Sequence, residues 1–384
     1  MKEIFEKIDS LKDEYIKVWE DVLNIESPSS YKEGVDEVGK YFIRIAEKNG
    51  WQTEVFFQEK FGDVVAITMN PDVKGAPVTL SGHMDTVHPL GLFGNPPSKI
   101  EGEKIMGPGA MDCKGGIVAG FLAMQALSEA GYRKRPVMML LQSNEEIGSG
   151  LNNKAPINWI CEKAKDSVAF LNLEGYEDWF KGKACLVRKG IAGFLFNVEG
   201  IAAHASYIDK EGASAIVEAA MKIVDLDNAQ KPEGLTFNFG IINGGTASNT
   251  VPDKCTFKLD VRFNTNADFE AAVKIIDENI KKVYIKGCKT SYVHTNLRAA
   301  MELNERNLDL LSRANELFEE NGLSKLEAGK RPGGSDASDV TTFGIPCIDS
   351  IGVNGGLAHN PGEYALIASL SESAKRIATI VAGI

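Results

Sequence analysis

The sequence predicts an α/β layered protein interrupted by a smaller α+β domain. Three observations lead there. Through residues 1–183, helical apolar spacing alternates with short β-rich runs, as when strands pack between helices. Over residues 184–297, strands with alternating apolar and polar positions predominate. Beyond residue 298 the alternation of helix and strand returns. A discontinuous domain, 1–183 and 298–384, with an inserted domain, 184–297, accounts for all three, and 384 residues exceed one ordinary core.

In the first part, Ile4, Ile8, Leu11, Tyr15, Val18 and Val22 repeat at helical spacing with charges between them. That predicts a helix over about 3–25, and a second follows over about 31–49. The runs TEVFF, VVAITM and PVTLSGH read as strands. A helix rich in small residues is expected over about 115–130, closed by Gly131. Strands VMMLLQS (137–143) and AFLNLE (169–174) complete a largely parallel sheet. The inserted part reads ββαββαβ: ACLVRKG, GFLFNVEG, a helix at about 213–226, TFNFGIING, KCTFKLDVRF, a helix at about 267–282, and CKTSYVHTN. That order suits an antiparallel sheet carrying two helices. Helix 304–321, strand PCIDS and a last helix near 365–381 finish the chain.

Composition narrows the function. A formal net charge of -11 argues against nucleic acid, which needs a basic face. No apolar run is long enough to span a membrane. The N-terminus has helical spacing rather than a signal peptide's unbroken apolar core. Six scattered cysteines without a CxxC pair read as reduced thiols of a cytoplasmic protein.

Two of the five histidines lie in SGHMDTVHPL, residues 81–90. His83 and Asp85, two apart on an extended chain, point the same way. His83 offers one nitrogen to a metal, and Asp85 can accept from the other or contact the metal region itself. A polar turn after a buried strand explains the pair equally well. In GPGAMDCKGG, glycines permit a tight turn into a helix, with Asp112 at its tip. A phosphate cradle would also use such a turn, but an acid at the tip would repel phosphate. In QSNEEIGSG, Glu145 and Glu146 end an apolar strand, where paired acids are costly unless a cation compensates them. AFLNLEG delivers Glu174, and GGLAHNPGE delivers His359. Each feature alone fits a structural or solvated role. Together, two histidines and several carboxylates following strands and glycine turns suit a pair of divalent ions, zinc first, with cobalt or manganese also fitting. Ions about 3.5–4 Å apart would require one bridging carboxylate.

With these motifs in order, the chain resembles the zinc-dependent aminoacylase/carboxypeptidase family, metallopeptidase family twenty, and within it the bacterial glutamate carboxypeptidases. The resemblance runs from about residue 10 to the end, through SGHMDTV, GPGAMDCKGG, NEEIGS, LNLEG, GGTASNTVPD and AHNPGE. It implies a zinc-exopeptidase-like α/β/α catalytic domain with a dimerisation or lid domain inserted, and hence a homodimer. Asp112 would bridge two zinc ions. His83 and Glu174 would complete one site, Glu146 and His359 the other. Asp85 would orient His83, and Glu145 would act as general base toward a zinc-activated water. A cis peptide is expected at Asp112–Cys113. His204, in IAAHAS, would stabilise the oxyanion in the partner's site. Asn249 and Arg262 would hold the substrate carboxylate, with Gly334 and Ser335 lining the pocket and Arg331 assisting. The implied activity is hydrolysis of an amide bond to release a C-terminal amino acid. The alternative is deacylation of acetyl- or succinyl-amino acids. A silent binding relative would have lost a ligand or the base, and none is missing here.

The chain departs from the family pattern in HASYIDKEG, where relatives carry a proline and Asp209 stands near that place. Glu174, being Glu rather than Asp, leans toward carboxypeptidases and deacylases. The remaining polar residues are read as structural: His88 and His294, Cys113, and Lys114 paired with local carboxylates. Arg298 is read as a hinge or a substrate contact.

Overall fold

The computed structural model describes residues 1–150 and 153–384. They form two compact units, one of Met1–Val187, Leu303–Arg331 and Ser335–Ile384, the other of Arg188–Glu302 with Pro332–Gly334. The first boundary falls beyond the expected 183/184. Strand Lys183–Arg188 joins the large sheet, with Cys185 paired to Asp349. The second falls beyond 297/298, because strand Lys289–Arg298 belongs wholly to the smaller sheet.

The large unit is an α/β/α layer. Its eight-stranded sheet runs in the order Gln52–Phe56, Val64–Met69, Val137–Gln142, Val78–His83, Ala169–Asn172, Cys347–Asp349, Lys183–Arg188, Glu327–Arg331. The four strands from Val137–Gln142 to Cys347–Asp349 are parallel, and antiparallel pairs flank them. Central strands are buried on both faces, so Val78–His83 is buried throughout despite its small polar residues. Helices Lys2–Leu23, Lys114–Glu129 and Ala368–Gly383 pack together over the sheet. The middle helix is buried nearly all round, which is why its pattern is small and apolar rather than amphipathic. Gly116 is required there: a Cβ would stand 1.8 Å from the carbonyl oxygen of Leu173. Helices Ala155–Ala164 and Asp336–Thr342, not legible as such in the sequence, form a separate group against the sheet.

A second, five-stranded sheet of very short strands was not expected. Its order is Lys99–Glu101, Lys104–Met106, Tyr364–Leu366, Asn354–Gly356, Tyr176–Glu177. It anchors two glycine-rich loops. One leaves Met106 toward the helix at Lys114, and the other closes the hairpin between Gly356 and Tyr364.

The smaller unit is βαββαβ rather than ββαββαβ, because the first expected strand went to the large sheet. Its four-stranded antiparallel sheet has the order Thr236–Gly244, Lys254–Phe263, Gly190–Glu199, Lys289–Arg298. Helices Ala215–Asp227 and Asn266–Lys281 pack on it. Alternate residues Ala192, Phe194, Phe196 and Val198 face the core with Phe257, Val261 and Ile276. The second helix starts with a capping box, Thr265 and Asp268 each bonding the other's backbone N–H. A two-stranded ribbon, Ala203–His204 with Thr250–Val251, completes the unit.

Candidate metal centre

In the large unit, parallel strands deliver acidic and imidazole groups at their carboxyl ends, where open α/β sheets place ligand sites. His83 is the last residue of its strand and pairs in register with Gln142. Glu145 and Glu146 follow that neighbour in one tight turn, Glu145–Ile147. Glu174 lies two residues beyond strand Ala169–Asn172. The two loops of the small sheet bring Asp112 and His359.

The ligand atoms converge. His83 Nε2 lies 3.0 Å from Asp112 Oδ1 and 3.6 Å from Glu174 Oε1. On the other side, His359 Nε2 lies 3.2 Å from Asp112 Oδ2 and 3.3 Å from Glu146 Oε2. The two oxygens of Asp112 therefore face different histidines, with Glu174 beside one and Glu146 beside the other. The peptide Asp112–Cys113 is cis.

Proton placement tests whether this set suits a cation. His83 Nδ1 lies 2.9 Å from the carbonyl oxygen of Asp85, an acceptor, so Nδ1 carries a proton. Its Nε2 then turns a lone pair toward carboxylate oxygens, which only a second proton or a cation makes favourable. His359 Nε2, between two carboxylates, is in the same position. In the protein without metal, protons fill that need. Hydrogen bonds to Asp112 and Glu146 hold His359 up to about 11. Burial and the Asp112 charge push Glu146 up to about 8. Burial disfavours charge on Asp112, yet bonds from His359 and His83 hold it well below the usual carboxylate range. The donor set of imidazole nitrogen and carboxylate oxygen fits divalent zinc-like ions. Cys113 also approaches His83 and Glu174. Burial pushes its thiol up to about 12, and its Sγ accepts the His83 backbone N–H at 3.1 Å, so it packs as a neutral thiol.

Asp85 is fully buried and sets the positions around it. Its Oδ1 accepts the Glu145 N–H at 3.0 Å and its Oδ2 the Glu146 N–H at 3.2 Å and the Ser29 hydroxyl at 2.6 Å. Its Oδ1 is 3.5 Å from His83 Nδ1. The ring's Nδ1 thus faces Asp85 twice, through the backbone carbonyl at hydrogen-bond distance and the carboxylate behind it.

Arg331 donates to the Gly175 carbonyl at 2.6 Å, to Ser350 Oγ at 3.1 Å and to Glu177 at 2.7 Å, all beside Glu174. Ser335 is buried and donates to Asp349 at 3.0 Å. Lys114 departs from the expected carboxylate pairing. Its buried ammonium donates to the carbonyls of Val22 and Ile25, where helix Lys2–Leu23 ends. Burial lowers it to about 7, against the charges of Glu363, Glu26 and Asp85. His88 bonds Glu363 at 2.7 Å. Glu363 itself was not singled out in the sequence. Its only signal was a glutamate four residues after His359 in a glycine-rich loop.

In the smaller unit the ribbon places His204 opposite Thr250 and beside Asn249, whose carbonyl accepts the Ala205 N–H at 3.0 Å. His204 Nδ1 accepts from the Ser206 N–H at 3.2 Å, leaving Nε2 as the donor of the neutral ring. Arg262 uses Nε and Nη2 on Asp260, at 2.6 and 3.1 Å. A Cβ on Gly334 would stand 2.8 Å from Arg298 Cδ.

The family model for the M20 peptidase dimerisation domain matches residues 186–288. Carboxypeptidase G2 of Pseudomonas sp. (strain RS-16) is 29% identical over 92% of this chain and 85% of its own. Succinyl-diaminopimelate desuccinylase of Rickettsia akari is 28% identical over 70% of this chain and 74% of its own. The fold matches a dinuclear metal-binding peptidase of family M20 from Bacillus subtilis with TM-score 0.70, at 17% identity, over 97% of this chain and 98% of that one. With a match to the M20 dimerisation domain set into an α/β domain that ends its strands in histidines and carboxylates, and relatives matched along most of its length, the chain is similar to the M20 metallopeptidases.

Proposed function

We propose that this enzyme is a carboxypeptidase that hydrolyses the last amide bond of a short peptide and releases the C-terminal amino acid. The observation that carries the proposal is the Asp112 carboxylate, one oxygen on His83 and the other on His359. In this reading Asp112, His83, Glu174, Glu146 and His359 would hold two divalent ions, zinc first, with His83 and Glu174 on one side of Asp112 and Glu146 and His359 on the other. When bound, the ions supply the charge that acidifies water and polarises the scissile carbonyl.

The chain's residues do the rest. Glu145, fixed through its backbone by Asp85, takes the proton of the attacking water and passes it to the leaving nitrogen. His204 donates from Nε2 to the developing oxyanion, acting across a homodimer formed by the inserted domain. Arg262 keeps Nη1 free of the Asp260 pair and, with Asn249, takes the substrate carboxylate. Within the large unit, Arg331 and Ser335 stand on the substrate side in this reading, Arg331 bonded to the Gly175 carbonyl next to Glu174.

A second reading, removal of a succinyl or acetyl group from an amino acid, is favoured by the similarity to the Rickettsia desuccinylase. The test is a hydrolysis screen of chelated and zinc-reconstituted protein. The panel holds dipeptides ending in Glu, Asp, Ala and Leu beside N-acetyl and N-succinyl amino acids. Zinc-dependent release from free peptides supports the carboxypeptidase. Release from N-acyl amino acids alone replaces it with the deacylase.

A further inference from the structure

Outside the proposed metal ligands and base, Glu363 is a heavily bonded acid near the centre. Its side chain is wholly buried. Oε1 accepts the backbone N–H groups of Met111 at 2.9 Å and Asp112 at 3.0 Å. Oε2 accepts the Gly109 N–H at 3.2 Å and His88 Nε2 at 2.7 Å. Glu363 also lends its carbonyl to the Gly107 N–H at 3.4 Å. Every one of these partners except His88 lies in the loop that carries Asp112. Glu363 itself sits in the hairpin loop that carries His359, held by a turn in which its N–H bonds the Asn360 carbonyl at 2.9 Å. The carboxylate therefore ties the two loops that bear the ligands not delivered by the large sheet. A buried carboxylate persists only with such a set of donors, and four are supplied.

We propose that Glu363 is a positioning residue that locks the Asp112 loop to the His359 loop, with His88 as its side-chain anchor. This rests on the two-ion reading of the site. The strands hold His83, Glu146 and Glu174 whether or not Glu363 is charged. Asp112 and His359 keep their register only while the carboxylate accepts from three loop amides, those of Gly109, Met111 and Asp112. Glutamine cannot replace it. In one orientation its NH2 group would meet the N–H donors of Met111 and Asp112, and in the other that of Gly109, even if His88 changed tautomer to accept from it. His88, buried and edge-on to Phe93 at 4.9 Å, keeps the carboxylate turned toward the loop.

The test is zinc titration of the metal-free full-length protein, followed by visible spectra of the cobalt-loaded form and by kinetics on the best substrate. Partners of this kind change metal affinity or activity by about 10–100-fold, and Glu363→Gln is expected to weaken zinc binding by that factor. The cobalt bands should shift, and kcat should fall with KM little changed. His88→Ala removes one donor and leaves the carboxylate, so a smaller loss in the same direction is expected. His88→Gln, which restores a donor, should recover most of it. If Glu363→Gln does not fold, the two His88 variants decide. Wild-type zinc affinity and cobalt spectrum in Glu363→Gln, or in His88→Ala where the first does not fold, overturn the proposal. The titration does not depend on turnover. Wild-type protein that binds zinc but cleaves nothing fails the carboxypeptidase reading alone, and wild-type protein that binds no zinc fails the two-ion reading itself.

Discussion

In the proposed mechanism Asp85 and Glu145, two acids 60 residues apart in sequence but joined by a bond from the Glu145 backbone, take different roles. Asp85 has both oxygens committed to backbone N–H groups and to Ser29. Glu145 has its backbone N–H held by that same residue, and in the proposed mechanism its side chain carries the proton. Glu145→Gln keeps shape and removes the proposed base. Its zinc content should match wild type while kcat falls by about 10²–10⁴, the usual worth of general-base catalysis. Turnover within a few-fold of wild type would place the base elsewhere. The protons on the cluster make a second expectation. Without metal, His359 stays protonated up to about 11 and Glu146 up to about 8. Ions need those lone pairs, so binding at neutral pH must release protons, and apparent affinity must rise with pH. Calorimetry in buffers of different ionisation enthalpy reads this directly. A heat independent of buffer would mean that the cluster is already deprotonated.

At the scale of the element, the site is a product of strand ends and glycine turns, and this explains what the sequence revealed. His83, Glu146 and Glu174 follow apolar runs whose period is plain, so their convergence was legible. The loops of Asp112 and His359 were legible as motifs but not as neighbours. They are joined by a sheet whose members run two or three residues, too short to show a period. Glu363 escaped notice because a glutamate in a Gly-Asn-Pro loop has the composition of solvated surface. Lys114 was misjudged for the same reason in reverse: nothing in sequence shows that a helix ends beside it. The close seat of helix Lys114–Glu129 can be tested. Gly116→Ala puts a methyl group 1.8 Å from the Leu173 carbonyl, next to the chain leading to Glu174. Overpacking of this kind costs about 1–3 kcal/mol. Urea denaturation should show that loss, and zinc affinity should drop with it. An unchanged midpoint would mean that the helix can slide.

For the whole molecule, the division of labour between the two units makes the strongest demand. Every proposed metal ligand, together with Asp85, Glu145 and Glu363, lies in the unit of Met1–Val187, Leu303–Arg331 and Ser335–Ile384. His204, Asn249 and Arg262 lie in the other. Ions that bind only the folded site stabilise it by mass action, about 2.7 kcal/mol per site at a hundred times the dissociation constant. Chelation should therefore lower the melting temperature of the large unit. In hydrogen exchange it should speed opening of the loops around residues 107–112, 143–149 and 357–363. Strands Lys254–Phe263 and Gly190–Glu199 have their own aromatic core and no proposed ligand, so their exchange should not respond. Substitutions at His204 should divide the same way. His204→Ala should cut kcat and leave zinc content, melting temperature and exchange of the large unit as they were. If chelation instead loosens both units equally, metal binding and the inserted domain share one cooperative structure. The oxyanion donor would then depend on the ions for its place as well as its purpose.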